Sequence, residues 1–494
     1  MTKHKVDKDL RRFAKVESAL ENQRSSWVNL SIAGAFLVGV LLFAMATQGD
    51  SNASMFIIAA GVIGGYMAIN IGANDVANNI GPAVGSKALT MVGALIIAAI
   101  FEAAGALIAG GDVISTIRKG IIDPAGMTDM MTFVWVMMSA LLAAALWLNL
   151  ATWIGAPVST THSIVGGVAG AGIAAAGAGV VNWKIMSGIA ASWVISPILG
   201  GIIAAVFLAF IEINVLNKKD KLAAANRWVP ILVGVMAGAF SMYLVMKGLK
   251  KLWKPDLATL WMVGIGTFAF VAVVTRPMVA RASAKLENRK KSVSMLFTIP
   301  LIFSAALLSF AHGANDVANA VGPLAAIVGV LEAGSMETGK VAIPLWVMLI
   351  GAVGIGVGLM LFGPKLIKTV GTQITKLNQV RAFCVALSAA ITVIAASWLG
   401  MPVSSTHIAV GAVFGVGFLR EYLANRTSAE FKLATYTAPE TSEDEDKLYK
   451  KIKKNEKRKL VRRRHLIGIA AAWVITVPAA GFLSAALYAI FTSF

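Results

Sequence analysis

Asp75 and Asp316 each stand in an apolar stretch, inside near-identical motifs: GANDVANNIGP at 72–82 and GANDVANAVGP at 313–323. A carboxylate within a span of hydrocarbon length is costly to bury, so its presence marks a functional position. Asn74, Asp75 and Asn78 fall at i, i+1 and i+4, and Asn315, Asp316 and Asn319 repeat the pattern. On a helix the two asparagines share a face and the aspartate lies about 100° away. Gly72, Gly81 and Pro82 flank the first motif and Gly313, Gly322 and Pro323 the second, so the helix is expected to weaken on both sides. Carbonyl oxygens freed by a broken helix, with a carboxylate, suit a hard cation such as sodium. Asp75 and Asp316 supply the carboxylates. Buried asparagines also serve as plain glue between helices.

A second doubled motif offers the opposite chemistry. PVSTTHSIVGGVAG covers 157–170 and PVSSTHIAVGAVFG covers 402–415. Proline closes an extended segment and suits the first turn of a new helix. Ser159, Thr160 and Thr161, and likewise Ser404, Ser405 and Thr406, then lie at helix N-termini. Free N–H groups and the positive end of the helix dipole bind anions there. Two such ends facing each other could clamp a tetrahedral oxyanion, phosphate or sulfate. A hydroxyl at a helix start is also the ordinary N-cap.

Other residues are one-sided or ambiguous. Glu102 lies in AAIFEAAGALIAGG, and similarity between GALIAGGDVISTIRKG and GLMLFGPKLIKTVG sets Ile355 opposite it. It is either a coupling group, as ion ligand or proton acceptor, or half of a buried structural pair. His162 and His407 close the second motif. Each either bonds a backbone carbonyl across the helix break or touches substrate, and no metal-ligand spacing accompanies them. His312 has Ile71 as its counterpart and is equally open between packing and the site. Arg118 and Lys119 are expected in an external loop.

These residues need a membrane scaffold. Hydrophobic residues make up 57% of the 494 and charged residues 14%, with mean hydropathy +0.75. Soluble domains average about 45–50% apolar and about 25% charged. Eleven to thirteen segments are long and apolar enough, or nearly so, to span about 30 Å of hydrocarbon. All should be helical, because open sheets cannot satisfy their backbone in lipid. The 47 glycines suit close helix packing. One cysteine, Cys384, excludes a disulfide framework. No GxxxxGK[ST] loop is present, which argues against ATP hydrolysis and against an enzyme.

The net charge of +19 does not point to nucleic acid. Its basic residues gather in inter-helix segments at the N-terminus, 218–227, 276–291 and 420–464, as topology signals beside anionic lipid. The chain should retain 27–48 as an extra N-terminal membrane helix after a cytoplasmic segment 1–26, since the charged stretch before it is too long and acidic for a signal peptide.

The two motifs recur in the same order, 85 residues apart in the first half (157 − 72) and 89 in the second (402 − 313). That is a duplicated unit. With the N-terminus and 276–291 both inside, the first GANDVAN helix points inward and the second outward, so the repeats are inverted. Keeping 218–227 and 420–464 inside requires 157–180 and 402–419 to count as crossings. The expected organisation is a first transport repeat 55–211, a connector 212–294 with two helices and basic loops, and a second repeat 295–419. A polar cytoplasmic loop 420–464 and a C-terminal membrane helix 465–494 of the second repeat complete it.

GANDVANNIGP, STIRKGIID, PVSTTH, AHGANDVANAVGPL, PVSSTH and AWVITVP, in this order, resemble the inorganic phosphate transporter (PiT) family from about residue 55 onward. The sodium-coupled branch is the closer one, because the proton-coupled branch usually reads HDTANA where this chain has ANDVAN. The resemblance implies sodium-driven phosphate symport by an all-α inverted-repeat carrier with re-entrant Ser/Thr hairpins. Ser159, Thr160, Thr161, Ser404, Ser405, Thr406, Asn78 and Asn319 would bind phosphate, and Asn74, Asp75, Asn315 and Asp316 sodium. Glu102, His162 and His407 would couple the two. No cofactor is implied beyond the transported ion, and a homodimer is compatible. The alternatives are a proton-coupled phosphate or metal–phosphate carrier, a sulfate permease and, more distantly, an anion channel or phosphate sensor.

Overall fold

A computed structural model describes residues 26–48, 52–156, 158–248, 255–335, 343–373, 377–436 and 463–493. Residues 1–25 of the N-terminal segment, Pro157 and 437–462 of the polar loop lie outside them. Every element is helical, with one isolated bridge between Ile122 and Val181. Twelve helices among the described residues are long and apolar enough to cross a membrane.

The order begins with the extra helix α1 (Ser26–Thr47), then α2 (Asn52–Asn74) and α3 (Val76–Gly85). Next come α4 (Met91–Ala109), α5 (Gly111–Lys119), α6 (Met130–Ile154), α7 (Thr160–Ala176) and α8 (Trp183–Ile211), which ends in a π-turn. The connector supplies α9 (Lys221–Gly248), α10 (Leu257–Ser283) and the short α11 (Lys290–Leu296). The second half consists of α12 (Thr298–Ala333), α13 (Leu345–Gln373), α14 (Gln379–Trp398), α15 (Ser405–Tyr436) and α16 (Arg463–Phe491). Helix therefore continues to Tyr436, well into the stretch expected as a loop from 420.

The halves interlock. α2 packs on α13 of the other half and α12 on α4, while α7 packs on α16 and α15 on α8. Glycines make these crossings close. Gly72 lies against the carbonyl oxygen of Ile355 and Gly313 against that of Glu102, near enough that an added methyl would overlap the oxygen. Gly166 against Val477 and Gly411 against Pro197 repeat the device in the hairpin helices. Small residues admit such approach, and in lipid it is packing that holds helices together. The contacts relate Glu102 to Ile355 and α8 to α16, in agreement with the sequence repeat.

α6–α7 and α14–α15 are helical hairpins. Gly155 and Gly400 end the first arms with φ of 74° and 68°, a left-handed conformation that glycine adopts without penalty. Ser159 Oγ then accepts from His162 N at 3.1 Å, and Ser404 Oγ from His407 N at 3.3 Å, to start the second arms. The tips meet: Thr161 Oγ1 donates to the carbonyl of Val403 at 3.0 Å. They meet beside Asp316, eighteen residues into the 36-residue α12. A hairpin that turns back at mid-bundle contributes two arms and no net crossing. The parity is the one obtained by counting two full spans, which is why counting crossings alone could not separate the two cases.

Of the basic segments, 218–227 and 276–291 lie on one face. Lys221 N donates to Asn288 and Lys290 Nζ to Asn217. Ser294 Oγ donates to Gln379, whose amide donates to the carbonyl of Ser86. The end of α3 thus adjoins α11, just ahead of α12, by way of Gln379. α10 shows Trp261, Phe270 and Val273 on the outside, as suits a helix in lipid.

Two expectations are corrected. The first motif breaks only at Asp75, between α2 and α3, and the second not at all, since α12 runs through it. The flanking Gly72 and Gly313 are used for close packing rather than for a break. Arg118 and Lys119 end a helix, α5, rather than lying in a loop, and Arg118 is buried. Burial pushes its guanidinium below the usual range.

Candidate functional site

Asp75 sits at the one-residue break and both carboxylate oxygens are used. Thr160 Oγ1 donates to Oδ2 at 2.7 Å, and Thr406 Oγ1 to Oδ1 at 3.1 Å. One aspartate thus ties both hairpin tips. Asp316 accepts from Ser405 Oγ at 2.9 Å. Asn78 Nδ2 donates to Thr406 Oγ1 at 2.9 Å. Asn319 Nδ2 donates to Thr160 Oγ1 at 3.0 Å and Thr161 Oγ1 at 3.2 Å. The pattern is twofold: Asp75–Thr160 mirrors Asp316–Ser405, and Asn78–Thr406 mirrors Asn319–Thr161. All eight residues are buried.

Prolines add to the site. Pro82 and Pro323 lack the N–H that would bond the carbonyl four residues earlier, which is that of Asn78 and of Asn319. Each motif thereby has a backbone oxygen without its usual helical donor, although the helix axis does not break there.

The remaining predicted residues take different places. Asn74 Nδ2 donates to Thr152 Oγ1 and to the carbonyl of Ala156, at 3.1 and 3.3 Å. Asn315 Nδ2 donates to Ser397 Oγ and to the carbonyl of Met401, at 2.9 and 3.2 Å. These asparagines pin the hairpin turns. Ser159 and Ser404 are N-caps, the ordinary role. Removing the caps leaves Thr160, Thr161, Ser405 and Thr406 as the hydroxyls at the centre.

His162 and His407 stand behind the tips, away from both aspartates. Their ring centroids are 4.5 Å apart, with Trp193 3.8 Å from His162 and Trp473 3.6 Å from His407. His162 Nδ1 lies 3.4 Å from the carbonyl of Trp473, so its carbonyl partner is on α16 rather than across the break.

The symmetry is broken on one side. His312 Nδ1 pairs with Glu102 Oε2, and its Nε2 lies 2.7 Å from Asp316 Oδ2. Asn79 Nδ2 donates to Glu102 Oε1 at 3.0 Å. The corresponding positions hold Ile71, Ile355 and Ala320. Asp75, His312 and Asp316 each offer an atom within 4.8 Å of the others, a grouping able to hold a cation. Sequence reasoning missed Asn79, Thr152 and Ser397. Asn79 was detectable as a mismatch between the repeats, and Thr152 and Ser397 sit at matched positions five residues before the prolines.

The arrangement has no nucleophile–base pair poised for a reaction among the described residues. It holds carboxylates and loosened carbonyls for cations, and the N-termini of α7 and α15 for an anion.

Comparison with known proteins shows what the chain is similar to. The profile of the phosphate transporter family matches residues 71–484. A Helicobacter pylori J99 protein named as a phosphate permease is 46% identical over 97% of this chain and 98% of its own. A Pyrococcus abyssi protein named likewise is 37% identical over 87% of this chain and 96% of its own. A solved structure titled the sodium-dependent phosphate transporter superposes with a TM-score of 0.76 at 35% identity, over 89% of this chain and all of its own.

Proposed function

The chain belongs to the phosphate transporter family, and from that premise we propose that it imports inorganic phosphate by symport with sodium ions. It is an integral membrane transporter of phosphate, not an enzyme. The finer reading, the coupling ion and the roles of residues, rests on the geometry of the central cluster.

One observation carries it. Oxygens fit for cations and helix ends fit for an anion share a single buried cluster, linked through Thr160, Ser405 and Thr406. Asp75, Asp316 and Glu102, when ionised, give three negative charges against one on a protonated His312. The sum, −3 + 1, leaves −2, which two sodium ions would neutralise. Like charges at 4–5 Å cost on the order of 3–4 kcal/mol each at an effective dielectric near 20. Cation binding at Asp75 and Asp316 relieves that repulsion and draws the hydroxyls toward a common centre. The hydroxyls and free N–H groups of the two helix ends then take phosphate between them. Charge neutralisation makes each ligand favour the other, which is the thermodynamic requirement of symport.

Alternating access follows from inverted repeats whose hairpin tips meet at this centre. The shared basic face is assigned to the cytoplasm by the positive-inside bias, with the N-terminus on the same side. A proton-coupled variant is the second reading, favoured by the imidazole of His312 between two carboxylates.

The test is phosphate uptake into proteoliposomes with an inward sodium gradient, a pH gradient or neither. Uptake that follows sodium supports the proposal, and uptake that follows pH alone replaces it with the second reading. Sulfate added as competitor should leave uptake unchanged.

A further inference from the structure

The basic face carries a cleft that the central cluster does not use. It has a volume of about 500 Å³ and lies between the end of α3, the short α11 and the start of α14. Ser86, Lys87, Lys290, Lys291, Ser294 and Asn378 contribute to its wall, and no acidic residue does. Lys290 is anchored to Asn217 at 2.9 Å and lies 3.5 Å from Glu212. Among the described residues, neither Lys87 nor Lys291 has an ion-pair partner.

The third contribution is a helix N-terminus. Asn378 caps α14, its Oδ1 accepting from Arg381 N at 3.1 Å. The N–H groups of Gln379 and Val380 lie in the first turn and have no partner within the helix. Lys87, Lys290 and Lys291 line the same cleft and make it a positive concavity.

Lys87 has φ +63°, and among the described residues it is the only non-glycine with positive φ. The other four such positions are glycine. Glycine there would close the same α3 terminus without the Cβ penalty. A lysine side chain is therefore present where the backbone alone would favour none. The matching position of the other half is Val328, fully buried, so the feature belongs to the basic face alone.

We propose that this cleft is a second binding site for a phosphate group, separate from the central cluster, with Lys87 and Lys291 holding the oxyanion over the first turn of α14. Its position is informative. α3 runs seven residues on from Asn78 to its end at Gly85, about 10 Å at 1.5 Å per residue, and Lys87 follows in the turn. The cleft is joined to the centre through α3 and also through α14, an arm of the second hairpin. The phosphate group is either free inorganic phosphate leaving or entering the centre, or the headgroup of an anionic lipid.

The experiment uses the full chain in phosphatidylcholine nanodiscs, with radiolabelled inorganic phosphate as probe. Lys87→Gly with Lys291→Gln removes two charges and suits the backbone. Wild type should bind two phosphates per chain at saturation and this variant one. Asp75→Asn should retain one, the cleft's, so a failure of the central reading is visible separately. In the lipid arm, native mass spectrometry counts phosphatidylglycerol retained from mixed vesicles. Retention at least fivefold lower in the double variant, with phosphate stoichiometry of one throughout, assigns the headgroup instead. Equal binding of both probes by wild type and double variant overturns the site. Loss of all phosphate binding in the double variant overturns its separateness.

Discussion

Glu102 and His312 form a buried pair that joins α4 to α12 across the halves, and its counterpart across the pseudo-twofold axis is a pair of isoleucines. Two readings of Glu102 were open from the sequence, coupling group and buried structural pair, and the pairing through His312 to Asp316 is compatible with both. Removing one partner of a buried pair leaves an uncompensated group, at a cost of about 3–5 kcal/mol. Glu102→Ala should therefore lower stability by about that amount. The other half supplies its own control. Glu102→Ile, His312→Ile and Asn79→Ala together copy Ile355, Ile71 and Ala320. That triple variant should recover most of the stability in thermal unfolding, yet transport poorly. Full uptake by it would remove the trio from the coupling mechanism.

Asp75→Asn and Asp316→Asn keep the shape of the site and remove one charge each. A hydrogen bond to a charged group contributes about 1.5–3 kcal/mol, so uptake should fall roughly 10- to 100-fold. Saturable phosphate uptake measures it. Asp75→Asn should be the more damaging, because Asp75 accepts from both hairpin tips. Unchanged uptake in both variants would place the cation elsewhere.

Gly313→Ala puts a methyl onto the carbonyl oxygen of Glu102, and Gly72→Ala onto that of Ile355. Forcing helices apart costs typically 1–3 kcal/mol or more. Both variants should show lowered unfolding temperature. Gly266 on α10 has nothing within 4 Å of an added Cβ, so Gly266→Ala should be nearly silent. Equal effects at all three positions would mean that these close crossings do not hold the halves together.

Asp129 caps the first arm of hairpin one, its Oδ1 accepting from Thr132 N at 2.8 Å. That bond and the Thr132 hydroxyl hold its carboxyl below the ordinary value. A depressed folded pKa means stability present above the unfolded pKa and lost as pH falls through the folded one. Asp129→Ala should cost about 1 kcal/mol near neutrality, the usual value of an N-cap. The gap between variant and wild type should shrink as pH falls below about 4, where the unfolded carboxyl takes its proton first. A constant gap down to the acid limit would show that the cap acts without its charge.

The sequence carried the membrane class and the repeat, because apolar runs and doubled motifs are local signals. Asp75, Asp316, Asn78 and Asn319 could be picked out by type and recurrence. What a motif cannot state is which partner each side chain meets. Ser159 and Thr160 are neighbours of like chemistry, yet one caps a helix and the other donates to Asp75, a distinction set by the turn that Gly155 allows. Asn74 and Asn78 were grouped by helical geometry, and the break at Asp75 and the hairpin turns send them to different tasks. The role of His312 depended on Glu102, 210 residues away, a contact no local pattern encodes.

The interlocked halves impose an order on biosynthesis. α2 is made early, but its glycine seam at Gly72 finds its partner only when α13 emerges, and α7 waits for α16, the last helix of all. Until α14 and α15 follow, the nascent chain holds Asp75 in a bilayer with no second hairpin to satisfy it. The closing helix is thus also a checkpoint: a chain that ends before Val477 leaves the Gly166 seam of α7 open to lipid and to the cell's quality control.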